Sequence, residues 1–172
     1  MGNSAALHAL STAGNSISVS GTSIEFAYTS MEEAFPAVDP GVQPFGNYVL
    51  VQIRQPKRQT RGGVILTTED RHTEFYNTQV AKVIAIGPLA FHNRDTMKLW
   101  PEGAWCKIGD FVRIPKYQGD RFSVPFAVEE DVPWNGIKRR EVVKDEAIFT
   151  IFKDLALLGL YTGDVLAVKA YM

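Results

Sequence analysis

Short apolar, β-branched segments, interrupted at close intervals by glycine and proline, constrain the fold of this chain more than any other feature. The clearest are NYVLVQIR (47–54), TQVAKVIAIG (78–87) and EAIFTIF (146–152). Segments of this kind favour strands, and fourteen glycines and nine prolines leave little room for long helices. The Asn135-Gly136 pair predicts a tight turn. We therefore expect an all-β fold, either a small barrel or a sandwich.

Two further segments share a turn signal. IGDFVRIP (108–115) and GDVLAVKAY (163–171) each place Gly-Asp before an apolar run. We predict a strand in each, with Asp110 and Asp164 accepting hydrogen bonds from the turn backbone. Only KDLALLGL (153–160) has a helical pattern.

Composition places the chain among globular proteins of one domain. It has 172 residues, of which 45% are hydrophobic, and its net charge is only -1, so general binding of polyanions is not expected. The single cysteine, Cys106, excludes an internal disulfide framework and suits a reducing cytoplasm. No apolar run is long enough to span a membrane. We expect a soluble, cytoplasmic protein with no membrane partner.

The first forty residues differ from the rest. Residues 1–40 contain no Lys or Arg, four acidic residues and ten Ser or Thr. Such a segment buries little apolar surface, and we expect a mobile N-terminal arm. SISVS (16–20) and IEFAY (24–28) alternate apolar with polar residues, which leaves open a docked strand instead. The body of the protein is then 41–172.

The residue types used in catalysis do not form a recognisable motif. The three histidines are His8, His72 and His92. None stands at a recurring metal-ligand spacing from another ligand, and Cys106 has no second cysteine. We interpret Cys106 as a small thiol packed beside Trp105, and the acidic run 129–131 as a solvated loop face. Neither an enzyme nor a metal site is expected.

A barrel that binds single-stranded nucleic acid is an alternative function. Such barrels combine aromatic side chains with a basic groove, and IKRR (137–140) with Phe122, Phe126 and Trp134 supplies both kinds of residue. The basic run is short, however, and Glu141 follows it.

The stretch TRGGVILT (60–67) places three large aliphatic residues beside two glycines inside a polar segment, 54–77. One interpretation is a glycine turn that begins an ordinary core strand. The flanking charges argue against it, because polar loops of this length in compact domains are usually functional or disordered. The flanking charges leave partner binding open as the alternative, and its candidate residues are Gly62, Gly63, Val64, Ile65 and Leu66.

The order of these motifs resembles the co-chaperonin (chaperonin-10) family, small ring proteins that cap a chaperonin. In that family a first strand is followed by a long mobile loop with a Gly-Gly-aliphatic tip, as in GGVIL (62–66). A strand ending like Ala85-Ile86-Gly87 and a turn like Ile108-Gly109-Asp110 come next. The resemblance covers residues 42–118 well and the C-terminal strands loosely.

The resemblance implies a small, partly open β-barrel with a mobile loop at about 54–77. It implies a heptameric ring that caps the host's chaperonin-60 ring and encloses an unfolded substrate protein. The nucleotide chemistry would belong to the chaperonin, so no cofactor is expected. The long arm and an extra loop at 119–142 are closest in character to co-chaperonins encoded by bacteriophages. A structural component of phage assembly, anchored by the apolar tip, is a third interpretation.

Overall fold

The computed structural model describes residues 15–19, 22–26, 28, 30–56 and 78–167. Ten elements lie in this part of the chain: β1 (Asn15–Val19), β2 (Thr22–Phe26), α1 (Met31–Ala34), β3 (Tyr48–Ile53), β4 (Val80–Ile86), β5 (Phe111–Arg113), β6 (Asp120–Trp134), β7 (Ile137–Lys153), the 3-10 turn η1 (Asp154–Ala156) and β8 (Gly159–Leu160).

Six strands form one antiparallel sheet in the order β6-β7-β3-β4-β5-β8. Strands β6 and β8 are its two edges, so the sheet is not closed into a full barrel. Strands β1 and β2 pair separately as a two-stranded hairpin. The predicted all-β fold is confirmed in the form of a small, partly open barrel.

The centre of the sheet holds the core. Strand β3 lies between β7 and β4, and every one of its residues after Tyr48 is buried. Val49, Val51 and Ile53 pack with Val83 of β4 in one apolar cluster. A strand that is buried on both faces has a continuous apolar sequence instead of alternating apolar and polar residues, which explains the sequence YVLV.

The region predicted as an extra loop, 119–142, is a long β-hairpin instead. Strands β6 and β7 pair without a break from Asp120↔Ile151 to Trp134↔Ile137. The predicted Asn135-Gly136 turn is confirmed: φ is 47° at Asn135 and 77° at Gly136, as a type I′ turn requires. The loop prediction was wrong because we took the charged residues as a sign of a loop. Strands that are exposed on one face also carry charged residues.

The C-terminal predictions were partly wrong. In place of a helix over 153–160 there is a single 3-10 turn followed by the short edge strand β8. The strand predicted over 163–171 is absent from 163–167, where residues 165–167 form a turn; residues 168–172 lie outside the described chain. Both predicted Asp turns are confirmed, since Asp110 Oδ2 accepts from the Lys107 amide at 2.9 Å and Asp164 Oδ1 from the Leu166 amide at 2.9 Å.

The segment before β3 packs on the sheet. Ser30 caps α1 by accepting from the Glu33 amide at 3.2 Å, and Ala34 and Phe35 are buried with Val80. These contacts lie ahead of the boundary at residue 40 that composition predicted. The mobility predicted for residues 1–40 stays a prediction.

One buried carboxylate joins three parts of the chain. Asp154 is 2% exposed. Its oxygens accept from Asn47 Nδ2 at 3.0 Å, from the Phe91 amide at 2.7 Å and from the Leu155 amide at 2.8 Å. Buried charge needs hydrogen-bond partners, and here they connect the start of β3, the turn after β4 and the start of η1.

Candidate functional site

The predicted partner-binding loop connects two neighbouring strands. Ile53, the last residue of β3, lies opposite Ala81 of β4, so the strand ends that the loop joins are side by side. A hairpin between such strands needs only two to five residues, whereas residues 54–79 separate β3 from β4. The length of this connection is therefore not required by the sheet. The tip residues Gly62, Gly63, Val64, Ile65 and Leu66 lie outside the described residues.

The first anchor of this loop is a buried arginine. Arg54 follows β3 directly and is 1% exposed. Its Nη1 donates to the Val165 carbonyl at 2.9 Å and contacts the Leu166 carbonyl at 3.4 Å. Its guanidinium carbon lies 5.1 Å from the centre of the Tyr28 ring, within the range of a cation–π interaction. Arg54 thus ties the start of the loop to the C-terminal segment.

Gln55, the next residue, forms hydrogen bonds with other parts of the chain. The Gln55 amide donates to the Ala34 carbonyl at 2.7 Å, and the Gln55 side chain donates to the Glu146 carbonyl at 2.8 Å. The Tyr28 hydroxyl donates to the Gln55 carbonyl. Gln55 therefore connects the start of the loop to the last residue of α1, to Tyr28 and to β7.

The loop returns to the sheet at a second fixed point. Thr78 is 2% exposed. The carbonyl of Gln79 accepts from the Ile114 amide at 2.8 Å, and its side-chain oxygen accepts from Arg113 Nη2 at 3.1 Å. Residues at both ends of the connection are thus held by hydrogen bonds.

The anchoring residues were not found from the sequence. Arg54 and Gln55 were read as the start of a polar loop, yet both are buried. Their partners are far away in sequence, at 111 residues for Arg54 and Val165, and no local pattern encodes that distance. The one indication in the sequence was that Arg54 is the last residue of the apolar strand segment 47–54.

Cys106 is a packed thiol rather than an activated nucleophile. It is 7% exposed and belongs to the core cluster on which Trp105 packs. Burial, with a smaller contribution from the charge of Asp110, raises the pKa of the Cys106 thiol to about 11. A nucleophilic cysteine needs a lowered pKa. A nucleophilic cysteine also needs a base such as histidine beside it. The Nδ1 atom of His92 lies 2.7 Å from the Ala90 carbonyl, and His72 is outside the described residues.

The acidic run 129–131 lies in strand β6, not in a loop. Glu129 and Asp131 are exposed and lie 3.7 and 3.9 Å from guanidinium nitrogens of Arg140 on β7. Within the described ranges no three His, Cys, Asp or Glu side chains are grouped as a metal site would require. Glu129 and Asp131 therefore form cross-strand ion pairs with Arg140.

The residues proposed for nucleic-acid binding have other contacts. Phe122 stacks on Phe149 with ring centres 5.6 Å apart, and Phe126 packs against the same cluster. Arg139 lies 3.7 Å from Glu141. Only Trp134 of the three aromatic residues presents a large exposed surface, at 60%. These contacts do not favour the nucleic-acid interpretation.

Fold and site together define a small, partly open β-barrel protein with a long connection between two neighbouring strands. A family model for the chaperonin 10 Kd subunit matches residues 41–161, more than two thirds of the chain, and the chain belongs to this co-chaperonin family. Its members are non-enzymatic cofactors of chaperonin-60 that form oligomers. A comparison with curated proteins finds no match. Among the described residues, no helix has the length and apolar character needed to cross a membrane.

Proposed function

We propose that this chain is a phage-type co-chaperonin that caps the chaperonin-60 ring of a bacterial host and closes a chamber around an unfolded substrate protein. The observation that carries the proposal is the family match over residues 41–161, which includes the long connection between β3 and β4. The arm and the β6–β7 insertion, which are additional to the family's usual pattern, support the phage-type character. The protein would act in the host cytoplasm as a heptameric ring.

The binding residues in this proposal are Gly62, Gly63, Val64, Ile65 and Leu66 at the tip of the loop. Burying each of the three aliphatic side chains contributes about 1.5–3 kcal/mol, while ordering a flexible segment costs about 2–5 kcal/mol. One loop alone therefore binds weakly. A ring that presents several loops gains affinity because each later contact is intramolecular. Binding of this kind can be released, as a cycling cap requires.

The test is the substitution Ile65→Asp, with Thr67→Asp as its matched control. Both variants add one negative charge to the same loop, but only the first places it among the aliphatic tip residues. We expect Ile65→Asp to abolish capture of the protein by a bacterial chaperonin with nucleotide, since it buries an unpaired charge. Thr67→Asp should retain most of the binding. Circular dichroism and sizing should show both variants folded and assembled.

Two results would contradict the proposal. If Ile65→Asp unfolds or disassembles the protein before any partner is added, the tip belongs to a core strand. If the variant is folded, assembled and still captured by the chaperonin, the tip is not the binding site.

A further inference from the structure

The turn at the end of the β6–β7 hairpin lies far from the rest of the sheet. Strand β3 pairs with β7 only as far as Gln52↔Phe149. Within the described part of the chain, residues 123–148 therefore form a ribbon of two strands. Two strands alone are marginally stable in water, and the pair that closes the turn, Trp134↔Ile137, is at the far end of this ribbon.

The two residues of the turn, Asn135 and Gly136, combine exposure with an uncrowded backbone. Both are exposed, and a Cβ atom added at Gly136 would meet nothing within 4 Å. Asn135 is the only asparagine in the sequence that is followed by glycine. Because glycine has no side chain, the amide nitrogen next to Asn135 has no steric shield.

Two other asparagines are held in place. Asn47 is 8% exposed and donates from Nδ2 to a buried carboxylate at 3.0 Å. The Oδ1 atom of Asn93 accepts from the amides two and three residues later, at 2.9 and 3.1 Å, and Arg94 follows it. The side chain of Asn135 has no hydrogen bond of this kind to any described residue.

We propose that Asn135 is a site of spontaneous modification, where the Gly136 amide nitrogen displaces the side-chain amide and water completes a deamidation. Base removes the proton of the Gly136 nitrogen, which then forms a bond to Cγ of Asn135. The bond from Cγ to Nδ2 breaks, and Nδ2 leaves as ammonia with a proton from water. Water then opens the five-membered imide at either carbonyl, which gives aspartate or isoaspartate. No oxidant or reductant takes part.

The closed turn holds the two reacting groups apart. The first central residue of a type I′ turn has ψ near +30°, which directs the next amide nitrogen away from the Cβ atom of Asn135. Ring closure therefore needs the tip to open first. Opening separates Trp134 from Ile137, which are already 60% and 72% exposed, so little buried surface is lost. Strand ends of this kind open at a small cost in free energy, and the reaction proceeds from the opened state.

The modification changes the turn itself. Both products add one negative charge at the tip. Isoaspartate also carries the main chain through its Cβ atom, so the turn gains one backbone atom and no longer has the geometry that joins two paired strands. The ends of β6 and β7 should then separate.

The first test compares two asparagines of the same folded protein. The full chain is incubated at neutral and at mildly alkaline pH, and peptide mapping by mass spectrometry measures the conversion of Asn135 and of Asn93. We expect Asn135 to react at least about ten-fold faster than Asn93, whose side chain is held by hydrogen bonds. The rate at Asn135 should rise with pH, because base generates the attacking nitrogen.

The second test closes the tip reversibly. Trp134→Cys and Ile137→Cys are combined in a Cys106→Ser background, since residues directly opposite each other in a ladder are close enough for a disulfide. We expect the oxidised protein to deamidate at Asn135 at least about ten-fold more slowly than the same protein after reduction. Circular dichroism shows whether both forms are folded, so the comparison isolates the opening of the tip.

Two results would overturn the inference. A smaller difference between Asn135 and Asn93 would mean that exposure and the neighbouring glycine do not select this site. A smaller difference between the oxidised and reduced forms would mean that the reaction does not depend on opening of the tip. Neither measurement involves a chaperonin, so both decide the modification independently of the proposed function.

Discussion

Asp154 shows how one side chain fixes the relation between distant segments. Its carboxylate is buried and satisfies three donors, on Asn47, Phe91 and Leu155. Asp110 also accepts a bond from a turn amide, that of Lys107, but it lies at an exposed turn. The two aspartates therefore form a natural comparison between a buried carboxylate and a solvated one.

We expect Asp154→Ala to destabilise the protein by about 3 kcal/mol or more, since each buried donor left without a partner costs about 1–3 kcal/mol. Asp110→Ala should cost about 1 kcal/mol, because water replaces its lost bond. Denaturant unfolding of both variants at one protein concentration measures the difference. Equal losses of unfolding free energy in the two variants would show that the burial of Asp154 does not increase its contribution to stability.

The thiol of Cys106 predicts a dependence of stability on alkaline pH. Burial raises its pKa from the ordinary 9.0 to about 11 in the folded protein. The folded state therefore favours the neutral thiol, and the unfolded state gains stability by ionising first. This contribution to folding is fully present below about pH 9 and is lost as the pH rises towards 11.

Cys106→Ser removes this titration, so the stability of the unsubstituted protein should fall more steeply between pH 9 and 11 than that of the variant. Unfolding midpoints at pH 8 and pH 10.5 for both proteins measure the difference. The thiol of the folded protein should also react slowly with a disulfide reagent at pH 8. Rapid modification without unfolding would show that the thiol is accessible and ionised.

At the scale of elements, the end of β4 closes tightly on the start of β3. The Gly87 amide donates to the Tyr48 carbonyl at 2.8 Å, and the Leu89 amide donates to the Gly46 carbonyl at 2.9 Å. A Cβ atom added at Gly87 would lie 2.3 Å from the Gly46 carbonyl oxygen and 2.9 Å from that of Tyr48. The backbone must move to admit any side chain at this position.

We therefore expect Gly87→Ala to cost several kcal/mol of stability, at the upper end of the range for single substitutions. The matched control is Gly159→Ala in β8, where an added Cβ meets nothing within 4 Å. Its effect should be within about 0.5 kcal/mol. Thermal unfolding followed by circular dichroism distinguishes them, and a neutral Gly87→Ala would mean that the two segments are not in close contact.

The strands were predictable where they are buried and the turns where they need particular residues. β3 and β4 follow from apolar, β-branched segments, and Asn135-Gly136 follows from the positive φ angles of its turn. The hairpin arms around that turn were missed because exposed strands carry charges that also occur in loops. The anchors Arg54 and Gln55 depend on tertiary partners, which local sequence does not specify. The predicted tip, Gly62 to Leu66, stays a prediction.

At the scale of the whole molecule, Tyr28 and residues 30–35 act as a brace for the start of the long connection between β3 and β4. Tyr28 contacts Arg54 and Gln55, and the Ala34 carbonyl accepts from the Gln55 amide. Removing residues 1–27 leaves these contacts in place, whereas removing residues 1–38 deletes them and exposes Val80, which packs with Phe35.

We expect the protein without residues 1–27 to match the full chain in unfolding midpoint and in chaperonin binding. Removal of residues 1–38 should lower both, because the loop loses its first anchor and the core loses apolar contacts. Hydrogen exchange of the Gln55 amide reports the anchor directly. Identical behaviour of the two truncated proteins would mean that the brace contributes nothing.

The assembled state is expected to contain seven copies. An open sheet has edges that need cover, and a head-to-tail contact provides it when it closes. Native mass spectrometry should detect a heptamer, alone and bound to chaperonin with nucleotide. A stable monomer in sedimentation at micromolar concentration would contradict this expectation.

The proline at position 125, within the edge strand β6, has a consequence for the time before assembly. A newly synthesised chain is for a while a single copy, and within the described part of the chain its long strand β6 is an edge of the sheet. An edge of that length with all its donors available recruits other strands indiscriminately, and Pro125 interrupts it. We therefore expect the isolated copy to resist growth into fibrils before it assembles. Pro125→Thr should shift freshly refolded protein from oligomers of fixed size towards thioflavin-binding aggregates. The shift should be strongest at high protein concentration.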